Sequence, residues 1–69
     1  MAREFGVVKT FDLFKGYGFI RRSKGKDVFV YFEQVEGDDQ ILDEGTKVSF
    51  EVVREPKGDQ AYKVRIEGE

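Results

Sequence analysis

Aromatic and basic residues are interleaved in one short segment of this chain. Residues 14–32 hold six of its ten aromatic residues, and lysines and arginines lie between the rings. Aromatic rings offer flat apolar surfaces on which bases stack, and basic side chains attract phosphate groups. The pattern is therefore typical of a surface for single-stranded nucleic acid, provided that the rings lie outside the core.

The residue types present leave little room for catalysis. The chain has no histidine, cysteine or tryptophan, which removes His- or Cys-based zinc sites, cysteine nucleophiles and histidine-containing triads. The acidic segment 37–45 does not have the spacing of an EF-hand loop, and a solvated loop explains it better. We therefore predict a protein that is not an enzyme and has no metal, no cofactor and no small-molecule substrate.

Length and charge set further limits. The 69 residues are predicted to form a single domain over residues 1–69. Residues 1–26 carry seven bases and two acids, whereas residues 27–55 carry two bases and nine acids, so a basic face can exist despite the net charge of −2. No apolar run is long enough for a signal peptide or a membrane span. These features predict a cytoplasmic monomer with no membrane partner.

Short β-branched and aromatic runs, separated by turn signals, predict five strands. Gly25 marks a hairpin between the second and third strands, Pro56 marks the fourth connection, and residues 32–37 are expected to form one helical turn. Closing such a sheet into a barrel hides its edges, which favours an all-β, five-stranded antiparallel OB-fold barrel over an SH3-like barrel. The predicted strands cover residues 4–11, 17–22, 27–32, 47–54 and 61–67.

Side chains alternate between the two faces of a strand, and this decides where the rings lie. One face of the second and third strands carries Tyr17, Phe19, Phe29 and Tyr31, beside Arg21 and Asp27. The other face is aliphatic, and the fourth and fifth strands offer a matching apolar layer. We therefore expect the rings outside and the following residues in the core: Ile20, Val28, Val30, Val48, Phe50, Val52, Val64 and Ile66.

Two other interpretations of this face stay open. The rings could pair across strands merely to stiffen the sheet, or a loop could cover them. Gly16 and Gly18 flank Tyr17. They either leave room for a base beside the neighbouring ring or mark a bend in the sheet.

The order of motifs resembles that of bacterial cold-shock proteins from residue 6 to about residue 66. "KGYGFI" (15–20) is similar to the first ribonucleoprotein motif and "DVFVYF" (27–32) to the second, and "LDEGTKVSFEV" follows in the same order. An RRM domain, which shares the first motif, needs two amphipathic helices for which this chain has no place. The resemblance implies an OB barrel that binds single-stranded RNA and DNA and acts as an RNA chaperone, with effects on transcription termination and translation.

The resemblance also implies a set of binding residues. Phe32 belongs to this set by resemblance alone, because alternation places it on the core side. The chain departs from the family pattern at Thr10, where tryptophan is usual, and at Tyr31, where histidine is usual. The loop before the fourth strand lacks the aromatic residue often found there, and Asp38 and Asp39 add negative charge to it. Phe14, in contrast, adds an aromatic ring just before the first motif. We expect lower affinity with the mechanism kept. The implied residues are Lys9, Phe11, Lys15, Tyr17, Phe19, Phe29, Tyr31, Phe32 and Lys57.

A protein-interaction module of the SH3-like type is the alternative function. Such barrels also present aromatic residues, which bind proline-rich segments. Lys9, Lys15 and Lys57 favour the nucleic-acid interpretation, because phosphate binding requires cations near the rings and a proline-binding groove does not.

Overall fold

The computed structural model of the protein describes residues 3–37 and 42–67. Over these residues each predicted strand is present, with the third shorter and the fifth beginning earlier than the sequence indicated. Nowhere in the described ranges is there a helix with the length and apolar character that crossing a lipid bilayer requires. The strands are β1 (Glu4–Asp12), β2 (Tyr17–Arg22), β3 (Val28–Tyr31), β4 (Lys47–Glu55) and β5 (Gly58–Ile66), and a 3₁₀ turn covers Phe32–Gln34.

The strands close into a barrel in the order β1-β2-β3-β5-β4. All neighbours run antiparallel except β3 and β5, which pair in parallel with Phe29 opposite Gln60 and Val30 opposite Ala61. Strand β1 pairs with both β2 and β4, so it completes the circle on the other side. This closed five-stranded barrel confirms the OB-fold prediction.

Aliphatic side chains fill the barrel, as alternation along β2 and β3 predicted. Ile20, Val28 and Val30 are wholly buried, and from β4 the ring of Phe50 joins them. Phe11 and Val52 are only partly buried and pack against this core. The remaining buried hydrophobic residues are Val8, Val35, Leu42, Val48, Ala61 and Val64.

Two positions break the predicted alternation in β4 and β5. Alternation with Val48 and Phe50 would turn Ser49 outward, but Ser49 is 1% exposed; Ile66, expected in the core, is 50% exposed. The cause is an irregular ladder: the register shifts between Ser49 and Glu51, and Lys63 adopts a left-handed φ of 54°. Ser49 is tolerated inside because Arg3 donates a hydrogen bond to its hydroxyl, at 3.0 Å from Nη2.

The connections use the predicted turn residues. Gly25, with a φ of 91°, lies in the β2–β3 hairpin, and Pro56 lies between β4 and β5. Before β4, the amide of Thr46 donates to the carbonyl of Asp43 at 3.1 Å, which places Asp43 and Glu44 in a turn that leads into this strand. Asp38 and Asp39 lie outside the described residues, so the prediction about their loop stays a prediction.

Adjacent residues of β2 should separate folding from surface function. Ile20→Ala should lower the free energy of unfolding by about 2–5 kcal/mol, because it removes a wholly buried side chain and leaves a cavity. Phe19→Ala should cost on the order of 1 kcal/mol or less, because the ring is 40% exposed and loses mainly cross-strand contacts. Urea denaturation of both variants measures the difference. The reverse order would mean that the rings, and not the aliphatic side chains, sustain the fold.

Candidate nucleic-acid interface

Four rings of β2 and β3 form a continuous aromatic face on the outside of the barrel: Tyr17, Phe19, Phe29 and Tyr31. Phe19 lies opposite Phe29 and Tyr17 opposite Tyr31 in the β2–β3 ladder. Phe29 is the centre of the group, with its ring centroid 5.0 Å from Tyr17, 5.3 Å from Phe19 and 4.7 Å from Tyr31. These contacts fix the rings relative to one another while Phe19 and Tyr31 remain 40% and 43% exposed.

Cross-strand pairing extends the face onto β1 and β5. Thr10 of β1 lies opposite Phe19, and Gln60 of β5 lies opposite Phe29. Residues paired directly across strands point to the same side of the sheet. Thr10, Phe19, Phe29 and Gln60 therefore form one row across four strands, with an uncharged polar residue at each end. The rings occupy the centre of an exposed surface, and among the described residues no loop covers them.

The β4–β5 turn converts this face into a groove. Lys57 and Pro56 form one wall of the groove, and Asp27 lies at the β3 side. The groove encloses about 870 Å³, within the range of roughly 300–1,000 Å³ that is common for ligand sites. Sequence reasoning identified Lys57 but missed its neighbours in this wall, because the alternation of side chains along a strand does not predict the direction in which a turn projects. These missed residues are Glu55, Pro56, Asp59 and Gln60.

A cluster of ion pairs anchors this wall to the opposite part of the barrel. Arg22 donates two hydrogen bonds of 2.8 Å to the carboxylate of Glu4 and a third of 3.3 Å to Asp59. The hydrogen-bonded Glu4 carboxylate raises the pKa of Arg22 above its ordinary value, and partial burial opposes the shift only in part. Asp59 follows directly after Gly58 at the start of β5. Arg22 therefore joins β1 and β2 to the strand end that carries the groove wall.

A second contact links the two strands of the β4–β5 hairpin. The hydroxyl of Tyr62 on β5 donates to the carboxylate of Glu55 on β4 at 2.8 Å. This hydrogen bond to Glu55 raises the pKa of Tyr62, because ionisation of the phenol would remove the donated proton and place two negative charges side by side. Together with the Arg22 cluster, it holds both strands that flank Lys57.

Lys9 lies at the edge of the groove but is already paired. Its Nζ lies 3.1 Å from Oδ2 of Asp27, and Asp27 lines the groove. Lys9 is the extra residue of a bulge in β1, where the register with β2 shifts between Val8 and Thr10. The bulge turns Lys9 outward, and Asp27 partly neutralises its charge. No sequence pattern indicated this pairing, although Asp27 was placed beside the rings.

Phe11 and Phe32 do not lie on the aromatic face. Phe11 pairs with Gly18 on the inward side, and a Cβ at Gly18 would come 2.9 Å from the Phe11 ring and collide with the carbonyl of Thr10. A Cβ at Gly16 would lie 2.8 Å from the ring of Phe32. Each glycine therefore makes space for a ring at the rim of the barrel. Neither glycine is directed toward the aromatic face.

Lys15 lies in the exposed β1–β2 turn at the same rim. Its amide donates to Oδ1 of Asp12 at 3.1 Å, and the next residue, Gly16, accepts a hydrogen bond of 2.8 Å from the amide of Phe32. Within residues 3–37 and 42–67, neither Lys15 nor Lys57 has a carboxylate at ion-pair distance. The structure thus brings Lys57 and the four rings into one groove, with Lys9 at its edge and Phe11, Lys15 and Phe32 at the adjoining rim.

Comparisons with known proteins agree with this architecture. The family model described as the 'Cold-shock' DNA-binding domain matches residues 4–66. Cold shock protein CspC of Bacillus subtilis is 49% identical over 63 residues, which cover 90% of this chain and 96% of that protein. Major cold shock protein CspA of Pseudomonas aeruginosa is 46% identical over 65 residues, covering 93% and 94%.

The fold has a solved counterpart in a larger protein. The structure of Drosophila Unr CSD456 superimposes with a TM-score of 0.82 at 24% sequence identity, covering 97% of this chain. The present chain spans 27% of that one. At this identity the likeness concerns the fold alone.

Removal of the Arg22 guanidinium should loosen the groove wall. Arg22→Met leaves Glu4 and Asp59 without their shared cation, and we expect a loss of about 1–2 kcal/mol in the free energy of unfolding, between the values of exposed and buried pairs. Amide hydrogen exchange at residues 58–60 should accelerate. Arg65→Met, which breaks a single exposed pair with Glu36, is the matched control and should leave that exchange unchanged. Equal exchange in both variants would show that Arg22 does not hold the wall.

Proposed function

This chain belongs to the cold-shock domain family, a family of nucleic-acid-binding proteins, and we propose that it binds single-stranded RNA and DNA by stacking bases on its aromatic face. The observation that carries the proposal is the position of the four rings: they lie outside a barrel whose interior is already filled by aliphatic side chains. An exposed group of rings lowers solubility and is explained by a flat apolar ligand. Unpaired bases are such a ligand, and exposed lysines lie near the rings.

The geometry suggests how a strand would bind. Bases stack on Tyr17, Phe19 and Phe29, whose mutual contacts fix the ring planes in advance and so reduce the entropy lost on binding. Lys57 in the groove wall meets a phosphate, and Lys15 meets another at the rim. Lys9 contributes when it exchanges Asp27 for phosphate. Tyr31 completes the stacking surface, and Phe11 and Phe32 contact the strand where it leaves the groove.

This mode of binding makes the protein an RNA chaperone. Bases held on the rings are withheld from base pairing, so weak secondary structure is shifted toward the open form by mass action. Few of the contacts depend on base identity, because each base has a π-face and the lysines bind phosphate. The same activity would affect transcription termination and translation wherever these depend on RNA hairpins.

Binding should require unpaired bases and the aromatic face. In titrations followed by tyrosine fluorescence, an oligothymidine should bind more tightly than a duplex of equal length, since a duplex does not offer its bases for stacking. Phe19→Ala should weaken oligothymidine binding by roughly 1–3 kcal/mol. Phe5→Ala is the matched control, because Phe5 is 59% exposed but lies outside the groove. Equal affinity for duplex and single strand would contradict the stacking mode and favour a protein ligand.

The salt dependence of binding should reflect the number of lysines at the site that are free to contact phosphate. Lys15 and Lys57, which have no ion-pair partner within the described part of the chain, predict a slope of log K against log salt concentration of roughly −1.4, at about 0.7 per phosphate contact on single strands. Asp27→Asn releases Lys9 and should steepen the slope to roughly −2 by adding a third cation. Titrations between low and high sodium chloride measure both slopes. A flat response in the unmodified protein would show that phosphate contacts do not contribute.

A further inference from the structure

The β1–β2 turn exposes apolar side chains that neither the fold nor the groove explains. Phe14 is wholly exposed and Leu13 is 62% exposed. Among the described residues, the ring of Phe14 has no aromatic partner. Phe14 contributes nothing to the core, and with the adjacent Leu13 it forms an exposed apolar patch of the kind that marks binding surfaces.

The backbone holds this ring in a defined place. Oδ1 of Asp12 accepts hydrogen bonds from the amides of Phe14, at 2.9 Å, and Lys15, at 3.1 Å. The carbonyl of Asp12 accepts another from Gly16 at 2.7 Å, and Gly16 has the left-handed φ of 75° that closes the turn. Phe14 is therefore carried on an ordered turn and not on a loose loop.

Beside this turn lies a second depression that adjoins the aromatic face. Tyr17 and Phe19 line both the groove and the depression, so the two are separated only by these side chains. Phe14 and Phe11 supply further rings on the other side. Thr10, paired with Phe19, has a small side chain that leaves the depression open.

We propose that this depression receives a further base of the same bound strand, with Phe14 as its stacking platform. The proposal rests on the proposed function and extends its binding site along the nucleic acid. A base is the occupant that fits, because the depression continues the ring surface of the groove and is lined by four rings. Asp12 and Glu44 also line it, and their charge disfavours phosphate. The contribution should therefore come from stacking and not from counterion release.

The first test compares Phe14→Ala with Phe5→Ala, an exposed phenylalanine that lines neither depression. Both are titrated with oligothymidines of about four to eight nucleotides, within the range of a single OB fold. Phe14→Ala should weaken binding of the longer oligomers by about fivefold or more, with little effect on the shortest. The salt slope should not change. A loss that is equal at every length, or no loss, would overturn the proposal.

The second test uses Phe14→Trp, which introduces the chain's only tryptophan at an exposed position. Saturation with an eight-nucleotide oligothymidine should quench its fluorescence, because the base stacks on the indole. Unchanged fluorescence in a variant that still binds the oligomer would overturn the proposal and leave the proposed function intact. Absence of oligothymidine binding in the unmodified protein would instead refute the proposed function itself.

Discussion

The filling of the barrel by aliphatic side chains is the constraint on which the rest of this structure depends. Among the described residues, Phe50 is the only wholly buried ring. Val28, Val30 and Ile20 occupy the inward positions of β2 and β3 with no exposed area. Because successive side chains of a strand point to opposite faces, the rings between these residues must lie outside. Mutual contacts around Phe29 then shield part of the apolar area that this arrangement exposes.

Two features position the elements on either side of the exposed rings: close packing at the rim of the barrel and ion pairing at the groove wall. Gly18 lets the backbone of β1 approach β2 closely and leaves room for the ring of Phe11 beside it. On the other side, Arg22 joins Glu4 and Asp59 across three strands. Both features determine where the groups that contact the proposed ligand lie.

Much of this architecture could be predicted from the sequence because it follows from local periodicity. Alternation along β2 and β3 was sufficient to place Ile20 inside and Phe19 outside. It failed in β4 and β5, since bulges that depend on the pairing of distant strands put Ser49 inside and Ile66 at the surface. No sequence pattern indicated the ion pairs between residues that are distant along the chain. Arg22 and Asp59 form such a pair, and only the closed barrel brings them together.

The parallel pairing of β3 with β5 has a consequence for the chain as it leaves the ribosome. Strands β1 to β4 emerge before residues 58–66, and until then β3 and β4 lack the neighbour that lies between them. Their edges are open to pairing with other chains, and the wall that carries Lys57 has no second strand to hold it. A nascent chain therefore displays the rings before it has a groove. The finished site is assembled only when the last strand arrives, after translation of nearly all of the domain.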